Sequence, residues 1–457
     1  MNRLYLDAAR QVGSFLESQR IEGPSGALWQ RNAAQPGRPM HSLYHGSAGI
    51  VLFYLELHRA TGESPWLSTA RSAGHQLRHY LQQKLDAGEH LTIGLFSGWP
   101  GYVFVLDQLS VATGDQAFRT LAQSVYLQIF AQASNLGAGM GWIEPMPFSD
   151  ITGHTGDREI HDLSVGAAGV GLLSLYAHEH GLNPDALDHA RCICDRLLEV
   201  GESTPDGKRW KVMSDMPWTF NAPNFAHGAA GVGYLLARTG QATGERRYLH
   251  AAEEAGRYIM SRSYPSGAGH LVCHTEDRQP PDLFYLGVCH GPAGTGRLMF
   301  LLHTLTGDPT WNQWLHGNVA GLLATGAPER RTPGLWQNYG QCCGDAGIGD
   351  YACYLLRATG DAMYRELAQR IAKQLMQSTA KGYVGLAWQQ AEHRSRPDFV
   401  ETQTGYMQGA AGIGSFLLHL ATVDDETTSK ITLPDVPFPE HRTTDLPPPD
   451  LRVAPSH

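Results

Sequence analysis

Three of the seven cysteines lie within the two positions that precede a recurring glycine turn. Cys289 lies two residues before such a turn, and Cys342 and Cys343 directly precede the next one. Thiolates bind Zn²⁺, and three protein ligands leave the fourth tetrahedral position open to a substrate, which is typical of catalytic zinc. Residues with the same register should lie at the same level of a repeat structure. The register therefore predicts a zinc site, although the sequence has no Cys-x-x-Cys pair.

The alternative for each cysteine is a buried apolar side chain without chemistry, which is the commoner role of an isolated free cysteine. Three cysteines at one level favour a metal instead. The remaining four lie at other positions of the repeat and are predicted to be structural. They are Cys192, Cys194, Cys273 and Cys353.

The strongest candidate for acid–base chemistry is His227, which immediately precedes the glycine of the fourth turn. Imidazole changes its charge near neutral pH and can supply a proton. His45 and His290 hold the same position in other repeats and compete with it. Asp162, four residues before the glycine of the third turn, could orient a histidine or act on the substrate. A structural histidine and a turn-capping aspartate are the alternatives.

Seven glycine turns define this common level. Each reads Gly-x-(Ala/Pro)-Gly and is followed by about three helical turns rich in apolar residues. The turns recur about 50 to 70 residues apart, which is long enough for a pair of helices and a variable loop. Their first glycines are Gly46, Gly98, Gly166, Gly228, Gly291, Gly344 and Gly409.

More polar, amphipathic stretches such as RSAGHQLRHYLQQKL separate the apolar segments. They predict an outer partner for each inner helix. The expected fold class is all-α: an α/α toroid, which is a double-layered barrel of seven inner and seven outer helices. Residues 1–425 should form this one domain. Residues 426–457 are rich in proline and are predicted to be a flexible C-terminal tail.

Composition excludes several classes of protein. A net charge of −9 without a long basic run argues against a nucleic-acid partner. No apolar stretch is long enough to span a bilayer, and the N-terminus has the pattern of an amphipathic helix rather than a signal peptide. We therefore expect a cytoplasmic protein with reduced thiols. A toroidal glycoside hydrolase would need paired carboxylates at the level that here carries Cys and His.

With these motifs the sequence resembles the lanthionine synthetase C-like family, which includes the cyclases of lanthipeptide biosynthesis. The resemblance covers nearly the whole chain: seven Gly-x-x-Gly turns, a histidine before the fourth, and cysteines before the fifth and sixth. It implies a double-layered α/α barrel with a zinc ion at the top of the inner ring, held by Cys289, Cys342 and Cys343. The usual third ligand is a histidine where this chain has Cys343, so the chain is similar to a minority Cys-Cys-Gly branch.

The same resemblance implies that His227 performs the acid–base work and that Asp162 matches the family's aspartate of the third repeat. Many bacterial members have an arginine shortly before the first cysteine, where this chain has Tyr285 and Leu286. The implied reaction is the Michael-type addition of a peptide cysteine thiol to dehydroalanine or dehydrobutyrine, which forms a thioether ring. The implied partners are a dehydrated precursor peptide and a separate dehydratase.

Two alternative functions stay open on the sequence. A cyclase-like protein that adds glutathione to dehydroamino acids would need the same groups, so the sequence separates these two functions poorly. A toroid that binds peptides without turnover is disfavoured by the intact cysteines and by His227.

Overall fold

Every glycine turn begins a helix in the structure. The structure is a computed structural model, which describes residues 2–35, 37–145, 155–216, 222–276, 281–428 and 430–439. In chain order these residues form α1 (Arg3–Ser18), α2 (Ser47–Thr61), α3 (Ser64–Asp86), α4 (Trp99–Thr113), α5 (Gln116–Ala131), α6 (Ala167–Glu179), α7 (Ala186–Val200), α8 (Ala229–Thr243), α9 (Arg246–Ser261), α10 (Pro292–Thr306), α11 (Pro309–Ala324), α12 (Asp345–Thr359), α13 (Ala362–Gln377) and α14 (Ala410–Ala421). The first glycine of each turn is the N-cap of an even-numbered helix. None of the described helices is both long and apolar enough to cross a bilayer.

The seven even-numbered helices form an inner ring, and the odd-numbered helices pack outside it. Each inner helix from α2 to α12 packs on the outer helix that follows it, and α14 packs on α1. Neighbouring inner helices contact each other around the whole circle, including α14 with α2. The prediction of an all-α toroid with seven inner and seven outer helices is therefore confirmed, and its first and last repeats join.

Short two-stranded sheets lie in the connections between helices. Antiparallel pairs are formed by β1 (Ile21–Glu22) with β2 (Ala27–Leu28), β3 (Ser134–Leu136) with β4 (Gly139–Gly141), β5 (Ile143–Pro145) with β6 (Asp157–Glu159), β7 (Glu202–Thr204) with β8 (Gly207–Arg209), and β9 (Ser263–Ser266) with β10 (Gly269–Val272). A parallel pair follows, β11 (Phe284–Tyr285) with β12 (Leu335–Trp336), and then the antiparallel pair β13 (Gln390–Ala391) with β14 (Val400–Glu401). The β11–β12 pair joins the two loops that carry the predicted metal ligands.

Four buried tryptophans repeat one contact that the sequence analysis did not anticipate. Each indole N–H donates a hydrogen bond to a backbone carbonyl 13 residues earlier, in the last turn of an outer helix. Carbonyls at this end of a helix lack an intrahelical partner. The indole satisfies one of them and packs the following chain against the helix. The residues are Trp29, Trp142, Trp210 and Trp388.

The glycines allow the backbone to turn sharply before each inner helix. A Cβ atom at Gly347 would lie 2.0 Å from the carbonyl oxygen of Gln341. Gly228 has in addition a φ of +131°, a conformation that residues with a side chain rarely adopt. Larger residues at these places would push the inner helices away from the loops that precede them.

A circle of backbone hydrogen bonds joins the loops before the inner helices. In each repeat an N–H close to the second position before the glycine donates to the corresponding carbonyl of the next repeat, at 2.8 to 3.1 Å. The accepting carbonyls belong to Phe96, Ser164, Ala226, Cys289, Cys342, Met407 and Tyr44. The last of these bonds runs from the seventh repeat back to the first. Residues at this register therefore lie at one level, which we call the ring level.

Residues 430–439 differ from the predicted flexible tail. Three of their apolar side chains are buried: Ile431, Val436 and Phe438. Arg297, on the inner helix α10, forms a buried ion pair with Asp435. This segment therefore packs against the inner helices, at a lower level than the glycine turns. Residues 440–457 lie outside the described part of the chain, and the domain boundary at residue 425 stays a prediction.

Candidate metal centre and acid–base pair

The three predicted metal ligands converge at the ring level. Cys289 precedes α10, and Cys342 and Cys343 precede α12, the next inner helix. The sulfur of Cys343 lies 3.2 Å from that of Cys289 and 3.7 Å from that of Cys342. All three sulfurs lie within 4.8 Å of one another. Among the residues that the structure describes, this is the one group of three or more His, Cys, Asp or Glu side chains close enough to hold a metal ion.

The spacing and the charges of these sulfurs both fit a cation. Sulfur atoms about 2.3 Å from a tetrahedral zinc would be about 3.8 Å apart, close to the separations found here. Hydrogen bonds from the thiols of Cys289 and Cys343 lower the pKa of Cys342 well below its usual value. The hydrogen bond to Cys342 raises the pKa of Cys289, and burial raises it further. Three buried thiolates so close together would need a cation to balance their charge.

Asp162 and His227 form a hydrogen-bonded pair on neighbouring loops. Asp162 precedes α6 and is fully buried, and its Oδ1 accepts a hydrogen bond of 2.8 Å from the backbone N–H of Val165. Its Oδ2 contacts Nδ1 of His227, which precedes α8. Burial lowers the pKa of His227, but the Asp162 carboxylate outweighs burial, so that the pKa is raised. The pairing with Asp162 therefore favours the protonated form of His227.

His290, one of the two competing histidines, is held neutral. Its ring centroid lies 5.3 Å from that of His227 and 4.5 Å from that of His274. Burial lowers the pKa of His290 well below its usual value, and the charges of His274 and His227 lower it further. A neutral imidazole in this position packs against His227 and lacks the acidic proton that a charged imidazolium could deliver.

His45, the other competitor, belongs to a separate pair at the ring level. Its Nε2 lies 3.1 Å from a carboxylate oxygen of Glu392, which Arg31 and Gln403 also bind at 2.8 Å. Burial raises the pKa of Glu392, but the hydrogen bond and charge of His45, together with Arg31, lower it to about 2. Sequence reasoning missed Glu392 because it lies in the β13–β14 connection, outside the glycine register.

Two further side chains at the ring level reach the sulfurs. Nε2 of Gln408 lies 3.6 Å from the sulfur of Cys343 and 2.9 Å from the Tyr44 hydroxyl. A hydrogen bond from the Tyr44 hydroxyl also contributes to the lowered pKa of Cys342. Tyr44 in the first repeat and Gln408 in the seventh both lie at the predicted register. The sequence analysis assigned them no role, because neither side chain is a typical zinc ligand.

The other four cysteines stay outside this cluster. Cys194 hydrogen-bonds Thr239 between α7 and α8, and Cys353 lies in the core on α12. Burial raises the pKa of both thiols to about 12, which is typical of inert structural cysteines. Cys192 and Cys273 are likewise not part of the metal-type group.

Comparison with known proteins places the chain in a family. The sequence profile of the lanthionine synthetase C-like proteins matches residues 40–433. The chain belongs to this family. A protein of Danio rerio named glutathione S-transferase LANCL1 is 24% identical over 331 residues, which are 70% of this chain and 72% of that protein. Among solved structures, nisin cyclase superposes with a TM-score of 0.59 at 14% identity, over 92% of this chain and 94% of its own.

This lanthionine synthetase C-like chain has Tyr285 and Leu286 in the segment before Cys289, where the sequence analysis found no arginine. Burial raises the pKa of Tyr285, and the charge of Arg394 from the β13–β14 connection acts in the opposite direction. Arg394 also lines a cavity of about 550 Å³ together with His274 and Asp282. The rings of His274 and Tyr285 stack 4.1 Å apart, so this cavity adjoins the ring level.

Proposed function

We propose that this protein is a zinc-dependent cyclase that forms lanthionine or methyllanthionine rings in a dehydrated peptide. The observation that carries the proposal is the placement of three cysteine sulfurs and the Asp162–His227 pair at one level of the ring. Membership of the lanthionine synthetase C-like family and the fold shared with nisin cyclase support it.

Each group has a role in this reaction. Cys289, Cys342 and Cys343 would hold zinc, which lowers the pKa of a substrate thiol at its open position. Addition of the thiol across the dehydroamino acid double bond joins sulfur to the β-carbon and leaves negative charge on the α-carbon and its carbonyl. His227, kept protonated by Asp162, delivers a proton to the α-carbon. The proton released by the thiol balances this one, so the addition needs no oxidant or reductant.

The substrate must come from a preceding reaction. Dehydroalanine and dehydrobutyrine arise by loss of water from serine and threonine, so the proposed activity requires a peptide that a dehydratase has already modified. We expect this dehydratase to be a separate protein and both enzymes to work in the cytoplasm.

Incubation with a dehydrated, cysteine-containing peptide tests the proposal. Ring closure is an isomerisation, so the peptide mass should stay constant while one free thiol disappears for each ring, as counted by alkylation. Zinc should be present in the purified protein before the assay. Unchanged thiol counts with zinc bound would contradict a cyclase and would leave a toroid that binds peptides without turnover.

Addition of glutathione to dehydroamino acids is the second candidate. It is favoured by the Danio rerio relative, whose name is glutathione S-transferase LANCL1. The same assay with glutathione present distinguishes the two, because an adduct adds the mass of glutathione whereas ring closure adds nothing. A glutathione adduct as the main product would replace the cyclase proposal.

Replacing Cys343 with histidine is expected to retain the metal and to slow cyclisation by roughly tenfold. Three protein thiolates and one substrate thiolate around Zn²⁺ carry a formal charge of about −2. A neutral histidine removes one of these negative charges, so the substrate sulfur becomes a weaker nucleophile. Zinc content and the rate of ring formation in a single turnover check the prediction. Cyclisation as fast as in the wild type, or faster, would refute it.

A further inference from the structure

The buried amide of Gln408 is held in one orientation by hydrogen bonds that begin at the backbone. The N–H of Gly340 can only donate, and it bonds Oδ1 of Asn338 at 3.0 Å. Nδ2 of Asn338 therefore faces Gln408 and lies 2.8 Å from its Oε1. A flip of either amide would set two donors or two acceptors against each other. Nε2 of Gln408 thus points away from Asn338.

Both protons on this nitrogen have acceptors. One faces the Tyr44 hydroxyl oxygen at 2.9 Å, and the other faces the Cys343 sulfur at 3.6 Å, a distance that the large radius of sulfur allows. Because the Tyr44 oxygen accepts from Gln408, its own proton can turn towards Cys342, whose pKa a hydrogen bond from Tyr44 lowers. Gln408 is 1% exposed, which prevents bulk water from replacing these bonds.

We propose that Gln408 and Tyr44 are positioning residues of the metal centre, in which Gln408 donates a hydrogen bond to Cys343 and Tyr44 donates one to Cys342. This inference rests on the proposed function and extends it from the ligands to the groups that set their charge. Hydrogen bonds to metal ligands fix their orientation and tune their basicity. Two donors withdraw electron density from two of the three thiolates. They partly offset the negative charge that accumulates when a substrate thiolate joins them.

Cobalt in place of zinc reports the electron density on the cysteine sulfurs. The energy of a sulfur-to-cobalt charge-transfer band falls as the sulfur becomes richer in electrons. Gln408→Leu and Tyr44→Phe should each shift the band to lower energy. Each should also weaken zinc binding at neutral pH by about tenfold, as measured by competition with a chelator. A loss of packing alone would not move the band.

The matched control is a second buried amide–phenol pair. Gln108 on α4 donates to the Tyr176 hydroxyl on α6 at 3.0 Å, away from the cysteines. Gln108→Leu and Tyr176→Phe should leave the cobalt band and the zinc affinity as they are in the wild type.

Tyr44→Phe removes one hydroxyl group and keeps the ring, so it tests the inference even where Gln408→Leu does not fold. An unshifted band and wild-type zinc affinity in Tyr44→Phe would overturn the inference and leave the cyclase proposal intact. A wild-type protein that binds neither cobalt nor zinc would overturn both.

Discussion

Replacement of Cys342 with alanine is expected to remove the metal and the activity while the ring stays folded. The thiols of Cys289 and Cys343 both hydrogen-bond Cys342, and two cysteines alone do not provide the three protein ligands of a catalytic zinc site. The backbone N–H and C=O of residue 342 keep their bonds in the circle that joins the repeats. Zinc should be lost, and ring formation should slow by roughly a thousandfold or more. Metal analysis, the peptide assay and circular dichroism check the three parts of this prediction.

Cys353→Ala is the matched control, since it makes the same change at a thiol buried in the core of α12. It should keep the zinc and the activity and should lower the free energy of unfolding by about 1 kcal/mol. Equal zinc loss in both variants would mean that the metal depends on global stability rather than on the sulfurs at the ring level. A Cys342→Ala protein that still binds zinc and forms rings would remove the basis of the proposed site.

The fold and the central cluster were predictable because one local rule recurs seven times. Each glycine turn fixes the start of an inner helix, and the circle of backbone hydrogen bonds converts sequence register into spatial level. Cys289 and Cys343 are 54 residues apart in the sequence and meet for this reason. Asp162 and His227, 65 residues apart, are brought together in the same way.

Groups outside that register could not be predicted. Glu392 and Arg394 come from the β13–β14 connection, whose path depends on irregular loops rather than on a repeat. Asn338 lies before the glycine turn of α12, and its role appears only once Gln408 faces it. Tyr44 and Gln408 stand at the right level, but their chemistry depends on which neighbours the closed ring brings to them.

Residues 430–439 are a further case in which the sequence was not sufficient, because a segment predicted to be flexible has buried side chains. A proline-rich composition favours an exposed chain because such a segment has little apolar surface to bury. The closed ring supplies what composition does not show: Arg297 on α10 as a partner for Asp435, and aromatic rings of α10 and α12 against Phe438.

Replacement of Asp162 with asparagine is expected to slow cyclisation most at alkaline pH. Asparagine keeps the shape of the side chain, and its Oδ1 can still accept the N–H of Val165. Its Nδ2, however, donates toward Nδ1 of His227, which must then be an unprotonated acceptor. The carboxylate that raises the pKa of His227 is gone, whereas the burial that lowers this pKa remains.

The direction of the pH effect follows from the pKa of His227, which the Asp162 carboxylate raises and burial lowers. In the wild type the pKa of His227 lies above the ordinary 6.5. The proton for the α-carbon is therefore present at lower pH and is lost as pH rises through the raised pKa. In Asp162→Asn the pKa of His227 should fall, because burial is then opposed only by the charge of Cys342, so the alkaline limb of the pH–rate profile moves to lower pH. At about pH 7.5 the rate should drop roughly 100-fold, and the gap should narrow near pH 5.5.

The free energy of unfolding should also depend on pH through the protonation of His227. The Asp162–His227 pair stabilises the folded chain fully below about pH 6.5, and this contribution is lost as pH rises through the raised pKa of His227. Urea unfolding at several pH values should show this decline in the wild type and not in Asp162→Asn. Zinc content measured on the same samples separates loss of the proton donor from loss of the metal.

Glu392→Gln provides the decisive comparison, because Glu392 holds His45 at the same ring level as Asp162 holds His227. If His227 is the proton donor, Glu392→Gln leaves the alkaline limb in place and Asp162→Asn moves it. If Glu392→Gln moves the alkaline limb and Asp162→Asn leaves it in place, His45 is the proton donor instead. The pair that contains His227 differs from the pair that contains His45 by the lateral contact of His227 with the neutral His290. That contact places His227 against the repeat that carries Cys289, which is the side of the ring where we expect the substrate α-carbon to lie in the proposed reaction.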